Sequence, residues 1–434
     1  MLSYGIYSKN KKLMNHKREI WDTFYLIALQ GFNYLAPLIV FPYLMITLGA
    51  EKFGYLGFSL AIIQYLMLIV DFGFYLSATK RVALCKHDQT ELNKVFSATL
   101  NAKLGLLGIC FLILLIFAFA IPRFSIYSTT LLVLFTMVVA NTLSFVWLFQ
   151  GLGKIRLISI INIISKLLIL PLTFVLVKKP DDYLFAAFIQ SMVYLFGSVI
   201  ACYLIIRNKY ITNWIKTTKE QILLEVKLSF PIFLANLATS MYTAMFVIIL
   251  GYFSSPSEVG KYAAADRIMR AIAYLVFVPI SQSFYPKISA MSIENKNEAK
   301  AIVIKLAIFV GLIMIFVFLT MFFFSKYLVT FLGKDYQGTT ELFKIMALIP
   351  LFIGVGGVCG QLGLLAIGDE RDKKIYQRVY FVAGGVALIS IISLIPQYHS
   401  IGVAIATFLT EFVVFFGMSW RFKSLVYSKV QNIK

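Results

Sequence analysis

Asp71, Lys103, Lys166, Asp266, Arg267, Arg270 and Glu411 are ionisable residues set inside runs that are otherwise apolar. A charge at the centre of a bilayer costs roughly 2.5–3.5 kcal/mol on insertion scales, so each of them needs a partner, a cavity or water. Asp266 and Arg270 are one helical turn apart in the acid-first order that favours pairing. One carboxylate neutralises one arginine, which leaves Arg267 over, and Lys166 adds a second cation near the middle of its own run. The chemistry such a surplus performs is anion binding: a guanidinium holds phosphate through two parallel donors, and an ammonium holds it as a point charge. Arg270, assisted by Arg267 and Lys166, is therefore the expected anion contact. Asp266, Asp71 and Glu411 are expected to form ion pairs or to couple transport. Pairing between helices as structural glue is the competing role for all of these charges. Lys103 and Lys80 lie close enough to a span end to reach the interface along their own methylene stems.

Other chemistries find little support. His16, His87 and His399 are far apart and lie in predicted extramembrane segments, and no nucleophile, base and acid arrangement is visible. Of the four cysteines, Cys110, Cys202 and Cys359 sit in apolar runs and Cys85 in a basic loop, without the spacing of a metal site. No nucleotide-binding loop is present. The sequence thus predicts neither an enzyme nor a cofactor.

The elements that must position the charges are membrane helices. Sixty per cent of the 434 residues are hydrophobic and only 14% charged, far from the quarter or so typical of soluble proteins. Charge-poor runs long enough to cross hydrocarbon centre on 23–48, 53–79, 95–121, 125–150, 155–177, 183–206, 228–252, 259–285, 302–325, 341–367, 376–396 and 401–420. They predict an all-α integral membrane protein of about twelve transmembrane helices, because unbroken runs lack the alternation of a barrel. Of the 40 Lys and Arg residues, 28 fall in the N-terminal stretch, alternate connections and the C-terminal stretch, against 8 in the other connections. That asymmetry places both termini in the cytoplasm, and it reads the net charge of +20 as orientation and anionic-lipid contact, with no nucleic acid.

A faint repeat divides the chain. Leu48-Gly49 and Phe53-Gly54-Tyr55 return as Leu250-Gly251 and Val259-Gly260-Lys261-Tyr262, after which Ser77 falls opposite Ser283 and Arg81 opposite Lys287. The expected organisation is a cytoplasmic tail 1–22, a six-helix bundle 23–206, a cytoplasmic linker 207–227, a second bundle 228–420 and a tail 421–434. Pro37, Pro42 and Pro231 are the candidate hinges, since proline removes a backbone donor and bends a helix. Gly354, Gly356, Gly357, Gly360 and Gly363 read as close helix packing. Tyr25, Tyr55, Tyr127 and Tyr183 suit the interfacial belt.

Gln30-Gly31-Phe32-Asn33-Tyr34-Leu35-Ala36-Pro37-Leu38-Ile39, Phe41-Pro42-Tyr43-Leu44, Leu48 to Gly54, Asp71-Phe72-Gly73-Phe74 and Ser77 to Arg81 closely resemble the opening of Wzx-type flippases. Ile401 to Thr407, with Glu411, looks like the last helix of the same family. These flippases form the polysaccharide transporter branch of the multidrug/oligosaccharidyl-lipid/polysaccharide exporter superfamily. The resemblance implies two six-helix bundles in a V around a cationic cavity, as in MATE-like alternating-access transporters, in the bacterial cytoplasmic (inner) membrane. It implies transfer of an undecaprenyl-diphosphate-linked oligosaccharide to the periplasmic leaflet for O-antigen or capsule, with membrane lipids and the pathway's polymerase and chain-length regulator as partners. Arg270, Arg267 and Lys166 fit the cationic cavity by type and depth. A MATE-like drug or cation antiporter would favour acidic cavity residues, and a membrane enzyme of polysaccharide assembly would need a large extramembrane loop.

Overall fold

The computed structural model describes residues 2–240 and 244–427, with side chains from Pro37 onward except at 155, 156, 235, 238 and 239. Helices dominate because a backbone in hydrocarbon must satisfy its own donors and acceptors. Among the described residues twelve long rods occur in order: α1 (2–48), α2 (50–71 continuing through Phe74–Cys85), α3 (Gln89–Ala120), α4 (Pro122–Gly151), α5 (Ile155–Leu176) and α6 (Tyr183–Arg207), then α7 (Lys219–Ser240 and Ala244–Phe253), α8 (Pro256–Glu294), α9 (Lys296–Phe323), α10 (Thr340–Leu365), α11 (370–398) and α12 (400–427), with a short helix, Ser325–Leu332, between α9 and α10. Two sharp breaks create pairs from continuous helical chain. Gly49 (φ 69°) separates α1 from α2, and His399 (φ 48°) separates α11 from α12. A third break, at Phe72 and Gly73, divides α2.

Several boundaries differ from those expected. Residues 2–22 are helical and continuous with α1, and α12 runs on to Tyr427, with 428–434 outside the described residues. Arg421 explains the longer α12: its Nη2 lies 2.5 Å from the buried Asp372 of α11, which ties down the final turns. The linker is partly structured too. Its non-helical stretch lies along α3, where Asn93 Nδ2 donates to Thr212 Oγ1 (2.9 Å) and Asn101 Nδ2 to Thr217 Oγ1 (2.8 Å). From Lys219 onward it is already α7.

The connections fall at two ends of the bundle. One carries the 86–88, 208–218 and 295 connections and most of the cations, and is called here the basic end. At the opposite end a single apolar core joins both halves of the chain, taking Leu44, Phe53, Phe58, Leu131 and Ala187 from the first and Phe246, Leu250, Val259, Phe343 and Val403 from the second. At the basic end the core splits. Phe74, Phe96, Trp147 and Ile205 form one cluster, and Phe277, Val303, Val358 and Phe422 form another. Two six-helix bundles fused at one end, with separate cores at the other where the first part of α7 leans on the first bundle, make a V.

The fused end is built on α2 and α8. Gly54, Gly57, Ala61 and Gln64 share one face of α2, and Gly260, Ala263, Arg267 and Arg270 occupy the same spacing on α8. A Cβ on Gly54 would overlap the Pro256 carbonyl oxygen, and one on Gly260 would overlap the Ala50 carbonyl oxygen. One turn on, a Cβ at Gly57 would meet that of Ala263 at 3.1 Å. The glycines of α10 pack as expected. A Cβ on Gly357 would lie 2.5 Å from the Phe277 ring, and one on Gly363 would overlap Phe422. Tyr127 departs from its expected place at the interface: it is fully buried and stacks on Phe58 with ring centroids 3.9 Å apart.

Candidate functional site

Where the α2 and α8 faces diverge below the glycines, a cavity of about 530 Å³ opens. Pro37 and Phe41 of α1, Ala61 and Gln64 of α2, Ala244 and Val247 of α7, and Asp266, Arg267, Arg270 and Tyr274 of α8 are among its lining residues. Its position follows from side-chain size. The small residues at 54, 57, 260 and 263 let the helices touch, and Arg267 and Arg270 on the same α8 face then prop them apart. Ala61, the repeat-related counterpart of Arg267, leaves room for its guanidinium.

The two arginines have different surroundings. Arg270 is held twice: its Nε donates to Asp266 Oδ1 at 2.8 Å and its Nη1 to Glu411 Oε1 of α12 at 3.0 Å. All three side chains are largely buried. Tyr262, fully buried one turn earlier, shares a 2.8 Å hydrogen bond with Thr407, also on α12. Arg267 has no carboxylate within ion-pair distance among the described residues. Its guanidinium carbon lies 3.9 Å from the centre of the Phe41 ring and 5.8 Å from that of Phe53, a cation–π seat that leaves its donors toward the cavity.

Lys166 is in an adjoining hollow of about 120 Å³ with Val40, Gln190, Val193 and Tyr194. Pro37 and Phe41 line both spaces, so Phe41 is the partition between Lys166 and Arg267. Asp71 is elsewhere, and its partner is Lys103. The lysine is 2% exposed and places Nζ 3.0 Å from Asp71 Oδ1, so it does not reach for the interface as expected; burial between α2 and α3 brings it to the carboxylate. Pro37 borders the cavity, whereas Pro42 and Pro231 do not line it. No cluster of metal-ligating side chains occurs among the described residues.

Sequence reasoning missed Phe41, Gln64 and Tyr274 as cavity residues, because nothing marks one aromatic among 40 phenylalanines and 24 tyrosines, and an uncharged glutamine does not stand out in an apolar run. It also missed a pair at the basic end. Arg81 of α2 contacts the fully buried Glu225 of α7, beside a 2.5 Å hydrogen bond between Ser77 and Ser229 and a stacked pair, Phe72 and Phe233. This contact crosses between the two halves of the sequence.

Comparisons with known proteins agree with this architecture. A family model described as "Polysaccharide biosynthesis protein" matches residues 21–292. A protein of Escherichia coli (strain K12) with the name "Putative O-antigen transporter" is 30% identical over 394 residues, covering 91% of this chain and 94% of its own length. A protein of the same name from Shigella dysenteriae is 32% identical, covering 90% and 96%. Among solved structures, the lipid II flippase MurJ in an inward closed conformation aligns with a TM-score of 0.69 at 17% identity, over 92% of this chain and 87% of that one. An inward-facing MATE family multidrug transporter of the MOP superfamily aligns with a TM-score of 0.63 at 13% identity, over 91% and 99%. At these identities the structures speak for the fold, and the family rests on the sequence matches. The chain belongs to the polysaccharide biosynthesis protein family.

Proposed function

We propose that this protein is a flippase that moves an undecaprenyl-diphosphate-linked oligosaccharide from the cytoplasmic to the periplasmic leaflet of the bacterial inner membrane, for O-antigen or capsule assembly. The observation that carries this reading is Arg267, a cation facing a cavity of about 530 Å³ with an aromatic seat and, among the described residues, no carboxylate within ion-pair distance. A buried cation so placed is costly unless an anion or water meets it. The diphosphate supplies that anion, the glycan fills the cavity, and the prenyl tail stays in lipid.

Arg267 makes the first contact in this scheme. Arg270, already shared by Asp266 and Glu411, supports it as the second, and Lys166 waits behind Phe41. The basic end is assigned to the cytoplasm, so the V opens inward and the Gly54–Gly260 crossing closes the periplasmic end. Pro37, Pro42 and Pro231 are the proposed flexing points between the two arrangements. Moving an anion outward across an inside-negative membrane is downhill by roughly 2.3 kcal/mol per charge per 100 mV. The polymerase and chain-length regulator of the pathway are the proposed receiving partners.

Deletion of the gene in its host, followed by analysis of lipid-linked repeat units, tests the assignment. Accumulation on the cytoplasmic side, relieved by the wild-type protein and not by Arg267→Ala, is the expected result. Normal surface polysaccharide in the deletion strain would overturn it.

A further inference from the structure

A second concavity lies on the outside of the second bundle, away from the central cavity. Three helices form it. Ile304, Ala307, Ile308 and Gly311 on α9 recur at helical spacing, as do Leu351, Val355 and Cys359 on α10, and Phe415, Ser419, Phe422 and Val426 on α12. The groove encloses about 470 Å³ and runs from the middle of α12 to its basic end, roughly 16 Å at 1.5 Å per residue. Ala307 and Gly311 give it depth. A Cβ on Gly311 would meet only Val355, at 3.6 Å.

Its walls are apolar, and its one charged lining residue is Lys423, exposed at the end nearest Tyr427. Of the neighbouring cations, Arg421 is engaged with Asp372 and Lys300 donates to the Leu425 carbonyl at 2.6 Å, while the exposed Lys305 of α9 is not among the lining residues. Lys423 has no carboxylate within ion-pair distance among the described residues. Ile308, on the groove wall, and Phe416, beside it, are 59% and 52% exposed, so the groove opens onto the surface that hydrocarbon covers.

We infer that this groove binds one acyl chain of an anionic phospholipid from the leaflet at the basic end, with the lipid phosphate on Lys423. The occupant follows from the place and the charge. An apolar trough at membrane depth takes a hydrocarbon chain, and a lone ammonium at its interfacial end selects a negative head group. The transported lipid is a poorer fit, because none of the groove's lining residues borders the cavity that holds Arg267.

The test uses the full-length protein in phosphatidylethanolamine vesicles containing either phosphatidylglycerol or phosphatidylcholine, each with a photoactivatable acyl chain. Phosphatidylglycerol is expected to label peptides of 304–311 and 415–427 in preference to phosphatidylcholine. Lys423→Gln, at the exposed mouth, should reduce that preference about fivefold, the effect of one cation at a membrane surface. Gly311→Phe should fill the trough and remove labelling by both lipids. Equal labelling by the two lipids in the wild type would overturn the inference as ordinary annular contact. So would labelling unchanged in both variants, or labelling displaced by an undecaprenyl diphosphate, which would assign the groove to the transported lipid.

Discussion

Gly54 of α2 and Gly260 of α8 are each pressed against the other's helix, where a Cβ on either would overlap a backbone carbonyl oxygen. The overlap is reciprocal: Gly54 faces the carbonyl four residues before Gly260, and Gly260 faces the carbonyl four residues before Gly54. A local two-fold axis therefore passes between residues that the sequence repeat already pairs. Symmetry stops two turns further in, where Ala61 and Gln64 on one helix face Arg267 and Arg270 on the other.

Gly54→Ala or Gly260→Ala should force the two helices apart at the fused end, a cost of roughly 1–3 kcal/mol for overpacking. The expected outcome is a lower melting temperature in detergent and loss of surface polysaccharide. Thermal unfolding unchanged in both variants would show that the crossing tolerates a methyl group.

Arg267 and Arg270 should fail in different ways. Arg267→Ala should leave folding intact and abolish surface polysaccharide, and Arg267→Lys should keep part of it, since Lys retains charge without the two-donor fork. Arg270→Ala leaves Asp266 and Glu411 buried without their cation, which should cost about 3–5 kcal/mol of stability. Adding Glu411→Gln to Arg270→Ala should restore part of the melting temperature. Normal transport by Arg267→Ala would move the anion site elsewhere.

Much of this was legible in the sequence, and the limits have physical causes. Asp266 and Arg270 pair as their four-residue spacing requires, because both lie on one helix. Glu411 as Arg270's second partner, Lys103 as the partner of Asp71, and Phe41 as the seat of Arg267 depend on which helices become neighbours, and apolar runs alone leave that open. Composition placed Tyr127 at an interface; its contact with Phe58 put it in the core. The twelve rods were predictable because length and charge poverty are properties of each run by itself.

Glu225 predicts a pH dependence at the basic end. Burial, only partly offset by the adjacent Arg81, pushes its carboxyl from 4.5 up to about 7. The folded protein thus holds a proton that the unfolded chain releases, so stability is full below pH 4.5 and declines as pH rises toward 7, then levels off. Unfolding in detergent between pH 4.5 and 8 should show this slope in the wild type and lose it in Glu225→Gln. Arg81→Ala should carry the decline to higher pH. A flat wild-type profile would remove the buried carboxyl as its source.

Pro42 interrupts the hydrogen bonding of α1 just after the cavity residue Phe41. Pro42→Ala should slow transport with membrane insertion unchanged. Wild-type transport at normal expression would reduce the proline to a packing kink.

Orientation is open to direct measurement. Reporter fusions after residues 50, 123, 180, 255, 335 and 398 should read as periplasmic, and those after 88, 215, 295 and 372 as cytoplasmic. A cytoplasmic signal at 180 with a periplasmic one at 215 would reverse the assignment of the basic end.

The shared core also sets the resting balance of the transport cycle. Turning the cavity outward means parting Leu44, Phe53 and Phe58 from Phe246, Leu250 and Val259, whereas at the basic end the two cores are separate and the halves meet through the Lys219–Ser240 part of α7. The outward arrangement is then sparsely populated in the empty protein. Shifting such an equilibrium from 1:99 to 99:1 takes about 5.5 kcal/mol of differential affinity, which the cargo must supply through the walls it touches. On the proposed orientation, apolar packing at one end makes the empty carrier a rectifier that waits with its cavity toward the cytoplasm.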